Sequence, residues 1–175
     1  MPHASPSTIR RPVPSSKTMR SAWKTLSGTV VADLPRTLLD LVGEDEVEVH
    51  VGTDSKNRGG STYFVTVVAI PRPLGGGRVL YFSERQPRMY SLAQRLMHEA
   101  QLSLEIAALV DTIVAQDVVI HIDANQDARH RSAQYAHSLA GMGLGSGFQV
   151  RLKPEAWCAS HVADHVVKEK HTRVA

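Results

Sequence analysis

Apolar positions recur along the chain with two different periods, and each period predicts one kind of element. Alternating or continuous β-branched runs occupy VEVHVGTDS up to Asp54, residues 62–70 and residues 78–84. The stretch PRPLGGG between the last two runs is rich in turn-forming residues. These patterns predict an antiparallel meander of three strands.

Helical spacing appears before the meander and again after it. Leu34 to Val42 has helical apolar spacing and is followed by Gly43, a common residue at helix ends. After the meander the pattern predicts a long helix over 91–115, a buried strand DVVIHIDAN, a helix over 131–140, a flexible glycine-rich connection at 141–147, a strand FQVRLKP and a final helix AWCASHVADHVVKEK. The order β-β-β-α-β-α-β-α predicts an α/β fold whose mixed five-stranded sheet is flanked by helices.

Composition and charge divide the chain unevenly. The 175 residues are enough for one domain. Residues 1–32 contain five basic residues and no acid, whereas residues 33–175 contain 15 basic and 17 acidic residues. We therefore expect a disordered basic tail over 1–32, a candidate for nucleic-acid contact or organellar import, and a single domain over 33–175. A lone cysteine and the lack of a long apolar run predict a cytoplasmic protein without a membrane segment; the oligomeric state is left open.

Two aspartates occupy equivalent places in the predicted sheet. Asp54 ends the first strand and Asp123 ends the fourth. In open α/β sheets, ligands bind beyond the carboxyl ends of the strands. If these two strands are parallel neighbours, the carboxylates lie about 5 Å apart. Such a pair repels unless it is protonated or bridged by a cation, so this edge of the sheet is a candidate metal site.

The strand order and the acids resemble the ribonuclease H-like superfamily and, at closer range, the bacterial YkuK-type ribonuclease H-like family. The matching segments are HVGTDS (50–55), YFVTVV (63–68), RLMHEAQLSLEIA (95–107), HIDAN (121–125), GMGLGSGF (141–148) and KPEAWCASHVADH (153–165). The resemblance implies that acids on the first strand, the long helix, the fourth strand and the last helix hold divalent metal. Asp54, Asp123 and Asp164 match three of these places, and the helix offers Glu99 or Glu105.

In the predicted fold, helix geometry favours Glu105 over Glu99 as the acid at the level of Asp123. The fourth strand spans about 17 Å from Val118 to Asp123. The helix rises about 15 Å from Glu105 to Ala115 but about 24 Å from Glu99. The two glutamates are also about 240° apart around the helix axis, so they cannot share a face. Glu105 is therefore the preferred helix acid, with Glu99 as the alternative.

The resemblance implies a nuclease that uses two Mg²⁺ or Mn²⁺ ions to hydrolyse phosphodiester bonds in RNA, DNA or their hybrid. In this hypothesis Asp54 and Asp123 bridge or flank the ions, Glu105 binds one, and Asp164 completes the second site. One alternative is a non-catalytic nucleic-acid-binding or scaffold protein that keeps the fold. A phosphohydrolase of small molecules is another.

Several side chains could contact the substrate or assist the chemistry. Basic residues beyond the strand ends, together with polar residues that the resemblance adds, form the predicted substrate-binding set: Ser55, Lys56, Arg58, Asn125, Arg129, Arg131, Ser132 and Lys153. Few aromatic residues lie near the site segments, so no stacking platform is predicted. His165 is a candidate proton shuttle. Cys158, His161 and His165 share a helix face and form an alternative zinc hypothesis.

Overall fold

The computed structural model describes residues 22–44, 46–72 and 75–160. Its elements are β1 (Lys24–Thr25), α1 (Leu34–Val42), β2 (Val49–Arg58), β3 (Ser61–Pro71), β4 (Gly77–Pro87), α2 (Leu92–Asp111), β5 (Val118–Asn125), α3 (Ala133–Gly145) and β6 (Gln149–Lys153). No helix in this described part of the chain is long and apolar enough to cross a membrane.

The strands form one mixed sheet in the order β1-β4-β3-β2-β5-β6. Strand β3 pairs antiparallel with β2 on one side and with β4 on the other, as the predicted meander requires. Strand β5 pairs parallel with β2 on one side and with β6 on the other. The predicted α/β architecture is confirmed, but the sheet has six strands rather than five.

The additional strand comes from the segment that was expected to be a tail. Lys24 and Thr25 pair antiparallel with Tyr81 and Leu80 of β4. Trp23 is 2% exposed and contacts the ring of Phe82 edge-on, with ring centroids 4.8 Å apart. The predicted tail boundary at residue 32 is therefore wrong for residues 22–32, because a buried tryptophan anchors this segment to the core.

The two faces of the sheet differ in what covers them. The helix-covered face packs against α2 and α3 through alternate apolar residues of each strand, among them Val49, Val51, Ile120 and Ile122. The outer face is the opposite one, and its buried cluster consists of Val65, Val67, Ala69, Tyr81, Cys158 and Ala159. Since side chains alternate along a strand and paired residues share a face, each later strand position can be assigned to one face.

Two helices differ from the sequence prediction at their ends. Helix α2 stops at Asp111, four residues before the predicted end at Ala115. Helix α3 extends to Gly145, so part of the glycine run is helical rather than a flexible connection. Gly143 shows why glycine is useful there, because a Cβ at this position would lie 2.5 Å from Cγ2 of Val150. The predicted final helix lies outside the described residues from position 161 onward.

Candidate carboxylate site

Strands β2 and β5 bring the two predicted aspartates to matching positions. The parallel ladder between them runs from Val49–Val118 to Gly52–His121. Asp54 and Asp123 each lie two residues beyond that last pair. The predicted adjacency of their strands is therefore confirmed. Strand β2 does not end there, however, because its pairing with β3 continues from Asp54 to Arg58.

Helix α2 contacts strand β2 through a polar pair that lies one helical turn from Glu99. Ser103 Oγ lies 2.9 Å from Thr53 Oγ1, and both side chains are buried. Glu99 is four residues earlier and shares this face of α2. Its Oε1 accepts a 2.5 Å hydrogen bond from Ser55 Oγ. Thr53 and Ser55 thus fix the helix acid against the strand that carries Asp54.

Glu99 is a buried acid in an unfavourable electrostatic environment. It is 6% exposed. Burial raises the pKa of Glu99 to about 8, the hydrogen bond from Ser55 opposes that rise, and the charges of Asp54 and Asp123 add to it. With its pKa raised chiefly by burial, Glu99 is mostly neutral at pH 7. The three acids thus form one electrostatically coupled cluster.

The preference for Glu105 does not agree with this geometry. The side chain of Glu105 accepts a 3.2 Å hydrogen bond from Gln101 on the same helix. The earlier comparison of lengths assumed that the helix ran to Ala115. With the observed end at Asp111, the helix rises about 18 Å from Glu99 and about 9 Å from Glu105. Glu99 therefore matches the strand span of about 17 Å from Val118 to Asp123.

Lys153 forms an ion pair with Asp123 at the edge of the cluster. Lys153 is the last residue of β6, and it pairs with Asn125 across an irregularity in the ladder. The sequence places Lys153 among the substrate-binding candidates, whereas here its ammonium group neutralises one of the acids. The pair is only partly shielded from water, so its net contribution to stability is small.

The other predicted substrate residues are spread over two regions. Ser132 Oγ accepts a 3.0 Å hydrogen bond from the backbone N–H of Asn125, which joins the end of β5 to the start of α3. Arg129 is exposed and pairs with Asp127, whose pKa is lowered by that contact. Arg131 is exposed in the same loop, and Lys56 and Arg58 are exposed on β2 beyond Asp54.

A buried histidine pair lies beside the aspartates and was not predicted from the sequence. His50 Nδ1 and His121 Nε2 are 2.9 Å apart, and the backbone N–H of Trp157 donates to His121 Nδ1 at 3.2 Å. Because that N–H can only donate, the proton of a neutral His121 lies on Nε2 and is donated to His50. Burial, with the nearby His50 and Arg151, lowers the pKa of His121 to about 3. The pair is therefore uncharged at neutral pH.

A signal for this pair was present in the sequence. His50 and Asp54 have the same strand parity, as do His121 and Asp123, so all four lie on the outer face. The indole of Trp157 completes the cluster, with its ring centroid 5.0 Å from His50 and 5.1 Å from His121. The histidines thus link β2, β5 and the segment after β6 on the same face of the sheet as the two aspartates.

Three residues of the earlier hypotheses lie outside the described residues: Asp164, His161 and His165. Cys158 is described; it is buried, and burial raises the pKa of its thiol to about 12, so it is an inert thiol. Within residues 22–44, 46–72 and 75–160, no three His, Cys, Asp or Glu side chains stand close enough together to hold a metal ion. The donor chemistry of Asp54, Glu99 and Asp123 nevertheless fits a hard divalent cation, since all three offer carboxylate oxygens.

The fold and the site together define an α/β domain with coupled carboxylates at the junction between its antiparallel and parallel strands. A family model described as Ribonuclease H-like matches residues 34–168. The chain therefore belongs to this ribonuclease H-like family, which confirms the resemblance drawn from its motifs.

Individual proteins were also compared with the chain. The RNase H1 from the halophilic archaeon Halobacterium salinarum NRC-1 aligns with a TM-score of 0.40 and 18% sequence identity, covering 70% of this chain and 98% of that one. No curated protein sequence matches the chain.

Proposed function

We propose that the chain is a divalent-metal-dependent nuclease that hydrolyses phosphodiester bonds of RNA or DNA. The observation that carries this proposal is the placement of buried Glu99, held by Ser55, against the strand of Asp54, whose parallel neighbour carries Asp123. Burial, and to a lesser degree the charges of the two aspartates, raises the pKa of Glu99, and such perturbed acids are typical of functional sites. Family membership supports a nucleic-acid-related role for this cluster.

The three carboxylates are the residues that would hold Mg²⁺ or Mn²⁺, and Asp164 remains the proposed ligand of a second ion. When bound, such ions supply a water of lowered pKa and stabilise the charge that develops on the leaving oxygen. The protein's own part is to place the ligands. The register of β2 and β5 puts the aspartates at matching positions of neighbouring strands, and Ser55 holds Glu99 by a hydrogen bond on the helix-covered side of β2.

Lys153 has a second task in this proposal. Its ammonium group is at Asp123, so it partly compensates the negative charge of the cluster. A cation held beside the acids also reduces the repulsion that a polyanionic substrate meets on approaching them. We propose that Lys153 also contacts a phosphate of the substrate.

A non-catalytic nucleic-acid-binding protein is the second candidate function, and one observation favours it. In the described residues, Asp123 is already paired with Lys153, and the carboxylates do not form a ready-made ligand group. A binding protein would keep these contacts in its working state. It would also bind nucleic acid in EDTA as well as in Mg²⁺, and Asp123→Asn would leave binding unchanged.

A panel of substrates separates the two functions. Purified protein is incubated with labelled RNA·DNA hybrid, single-stranded RNA, single- and double-stranded DNA and a four-way junction, in Mg²⁺, Mn²⁺ or EDTA, beside Asp123→Asn. Metal-dependent cleavage that the variant loses while remaining folded supports the nuclease. Binding without cleavage in every metal supports the second candidate. Phosphate release from free nucleotides, measured in parallel, would instead indicate a small-molecule phosphohydrolase.

A further inference from the structure

The outer face carries a row of basic and aromatic side chains just beyond Asp54. Lys56 on β2 pairs with Tyr63 on β3, which pairs with Arg85 on β4, so the three side chains share one face and form a line across the strands. Lys56 and Arg85 are exposed, and Tyr63 is half-buried. The guanidinium carbon of Arg85 lies 5.9 Å from the centroid of the Tyr63 ring. Lys56 is two residues from Asp54, about 7 Å along the strand.

A second basic and aromatic pair follows the end of β4, beside the β2–β3 turn. Arg88 donates a 2.6 Å hydrogen bond to the carbonyl of Gly59 in the β2–β3 turn. Its guanidinium carbon is 5.2 Å from the centroid of the Tyr90 ring, and Tyr90 is 84% exposed. The backbone between them is fixed, because Met89 N–H donates to Thr62 Oγ1 at 2.8 Å and Met89 O accepts from Asn57 at 2.9 Å. The backbone immediately before the exposed ring of Tyr90 is thus fixed by hydrogen bonds to β2 and β3.

The charge of this part of the outer face suits a polyanion. Among its described positions from Asp54 to the ends of β2, β3 and β4, Asp54 is the one acidic residue, and Lys56, Arg58 and Arg85 are basic. Basic side chains attract phosphates regardless of sequence. Aromatic rings stack on bases, and the bases of a single strand offer the faces that a duplex keeps stacked internally.

We propose that this surface binds a single-stranded segment of nucleic acid that leads to the carboxylate site. Its members, called the basic–aromatic row, are Lys56, Arg58, Tyr63 and Arg85 on the outer face and Arg88 and Tyr90 after the end of β4. The inference rests on the proposed function, because the row begins beside Asp54 and would guide a bound strand to the carboxylates. It deepens that function by assigning single strands or single-stranded flanks as the substrate. The sequence predicted no stacking platform because few aromatic residues lie near the site segments, and Tyr63 meets Arg85 only through the pairing of β3 with β4.

Binding without cleavage tests the row separately from catalysis. Fluorescence anisotropy in EDTA compares short single-stranded RNA and DNA with a blunt duplex of the same sequence, so the two sugar types are distinguished as well. We expect tighter binding of the single strands. Tyr90→Ala should weaken that binding about 5- to 100-fold, and Tyr90→Phe should restore it, because the stacking ring is retained. Arg85→Met should reduce the slope of log affinity against log salt by about 0.7.

Arg78→Met is the matched control, since Arg78 is an exposed arginine at the far end of the same strand and points to the other face. It should leave binding unchanged. Equal binding of duplex and single strand, with no effect of Tyr90→Ala, would overturn the inference. If the wild type then still cleaves duplexes in Mg²⁺, the nuclease proposal stands and only the row fails. Tyrosine-dependent binding of single strands without cleavage in any metal would support the row and contradict the nuclease.

Discussion

The raised pKa of Glu99 predicts that this acid destabilises the metal-free protein at neutral and alkaline pH. Glu99→Gln replaces it with a neutral side chain of the same shape, which can still accept the hydrogen bond from Ser55. The substitution removes the cost of a buried negative charge beside Asp54 and Asp123. We therefore expect the variant to be more stable than the wild type, by an amount that depends on pH.

The magnitude follows from the two protonation equilibria. The pKa of Glu99 is raised from 4.5 to about 8 on folding. Below pH 4.5 the carboxyl is protonated in both states and costs nothing. As the pH rises from 4.5 toward 8, the unfolded chain loses the proton first, so stability falls by about 1.4 kcal/mol per pH unit. The loss reaches roughly 3 kcal/mol at pH 7 and is on the order of 5 kcal/mol above pH 8.

The assay is urea unfolding in EDTA at intervals from pH 5 to pH 9. The quantity compared is the difference in unfolding free energy between Glu99→Gln and the wild type, because other titrating groups cancel in that difference. The difference should grow by several kcal/mol over this range. Glu105→Gln makes the same chemical change on the same helix and is the matched control. A flat difference for Glu99→Gln would refute the raised pKa of Glu99.

Three further predictions concern packing and charge. Lys153→Met removes the cation at Asp123 and should raise the affinity for Mn²⁺ about two- to five-fold in calorimetric titration, which is the effect of losing a partly exposed ion pair. Unchanged affinity would show that Lys153 does not influence the proposed metal site. Gly143→Ala should destabilise the protein by about 1–3 kcal/mol, because the added methyl group would contact Val150. Gly141→Ala, with nothing within 4 Å of the added methyl group, should stabilise the protein by up to about 1 kcal/mol. Equal effects of the two substitutions would contradict the close packing of α3 on β6. Trp23→Ala should lower the free energy of unfolding in urea by about 3–5 kcal/mol. A decrease below about 1 kcal/mol would show that residues 22–32 are not needed for the stability of the fold.

Much of the central sheet can be predicted from the sequence because its strands are dense in β-branched residues. Val65, Val67 and Val68 mark β3, and the run from Val118 to Ile122 marks β5. The pairing of β2 with β5, which was taken as a condition in the sequence analysis, is the observed one. This pairing brings Asp54 and Asp123 together, so the core of the candidate site was also predictable.

The remainder depended on contacts that local patterns do not encode. Trp23 lies in a basic stretch whose composition suits a tail, and only the long-range pairing with β4 makes it part of the core. The choice between Glu99 and Glu105 depended on where α2 ends, and a difference of four residues reversed it. The pair of Lys153 with Asp123 joins neighbouring strands that are separated by a whole helix in the sequence.

Metal-dependent cleavage by the wild type, Glu99→Gln and Glu105→Gln, on whichever substrate of the panel is cut, tests whether Glu99 belongs to the metal centre. We expect Glu99→Gln to lose cleavage in Mg²⁺ and Mn²⁺ while remaining folded, since a ligand of the ion is lost. Glu105→Gln should cleave at nearly the wild-type rate. Loss of cleavage in Glu105→Gln with retention in Glu99→Gln would contradict the cluster of Asp54, Glu99 and Asp123 as the metal centre.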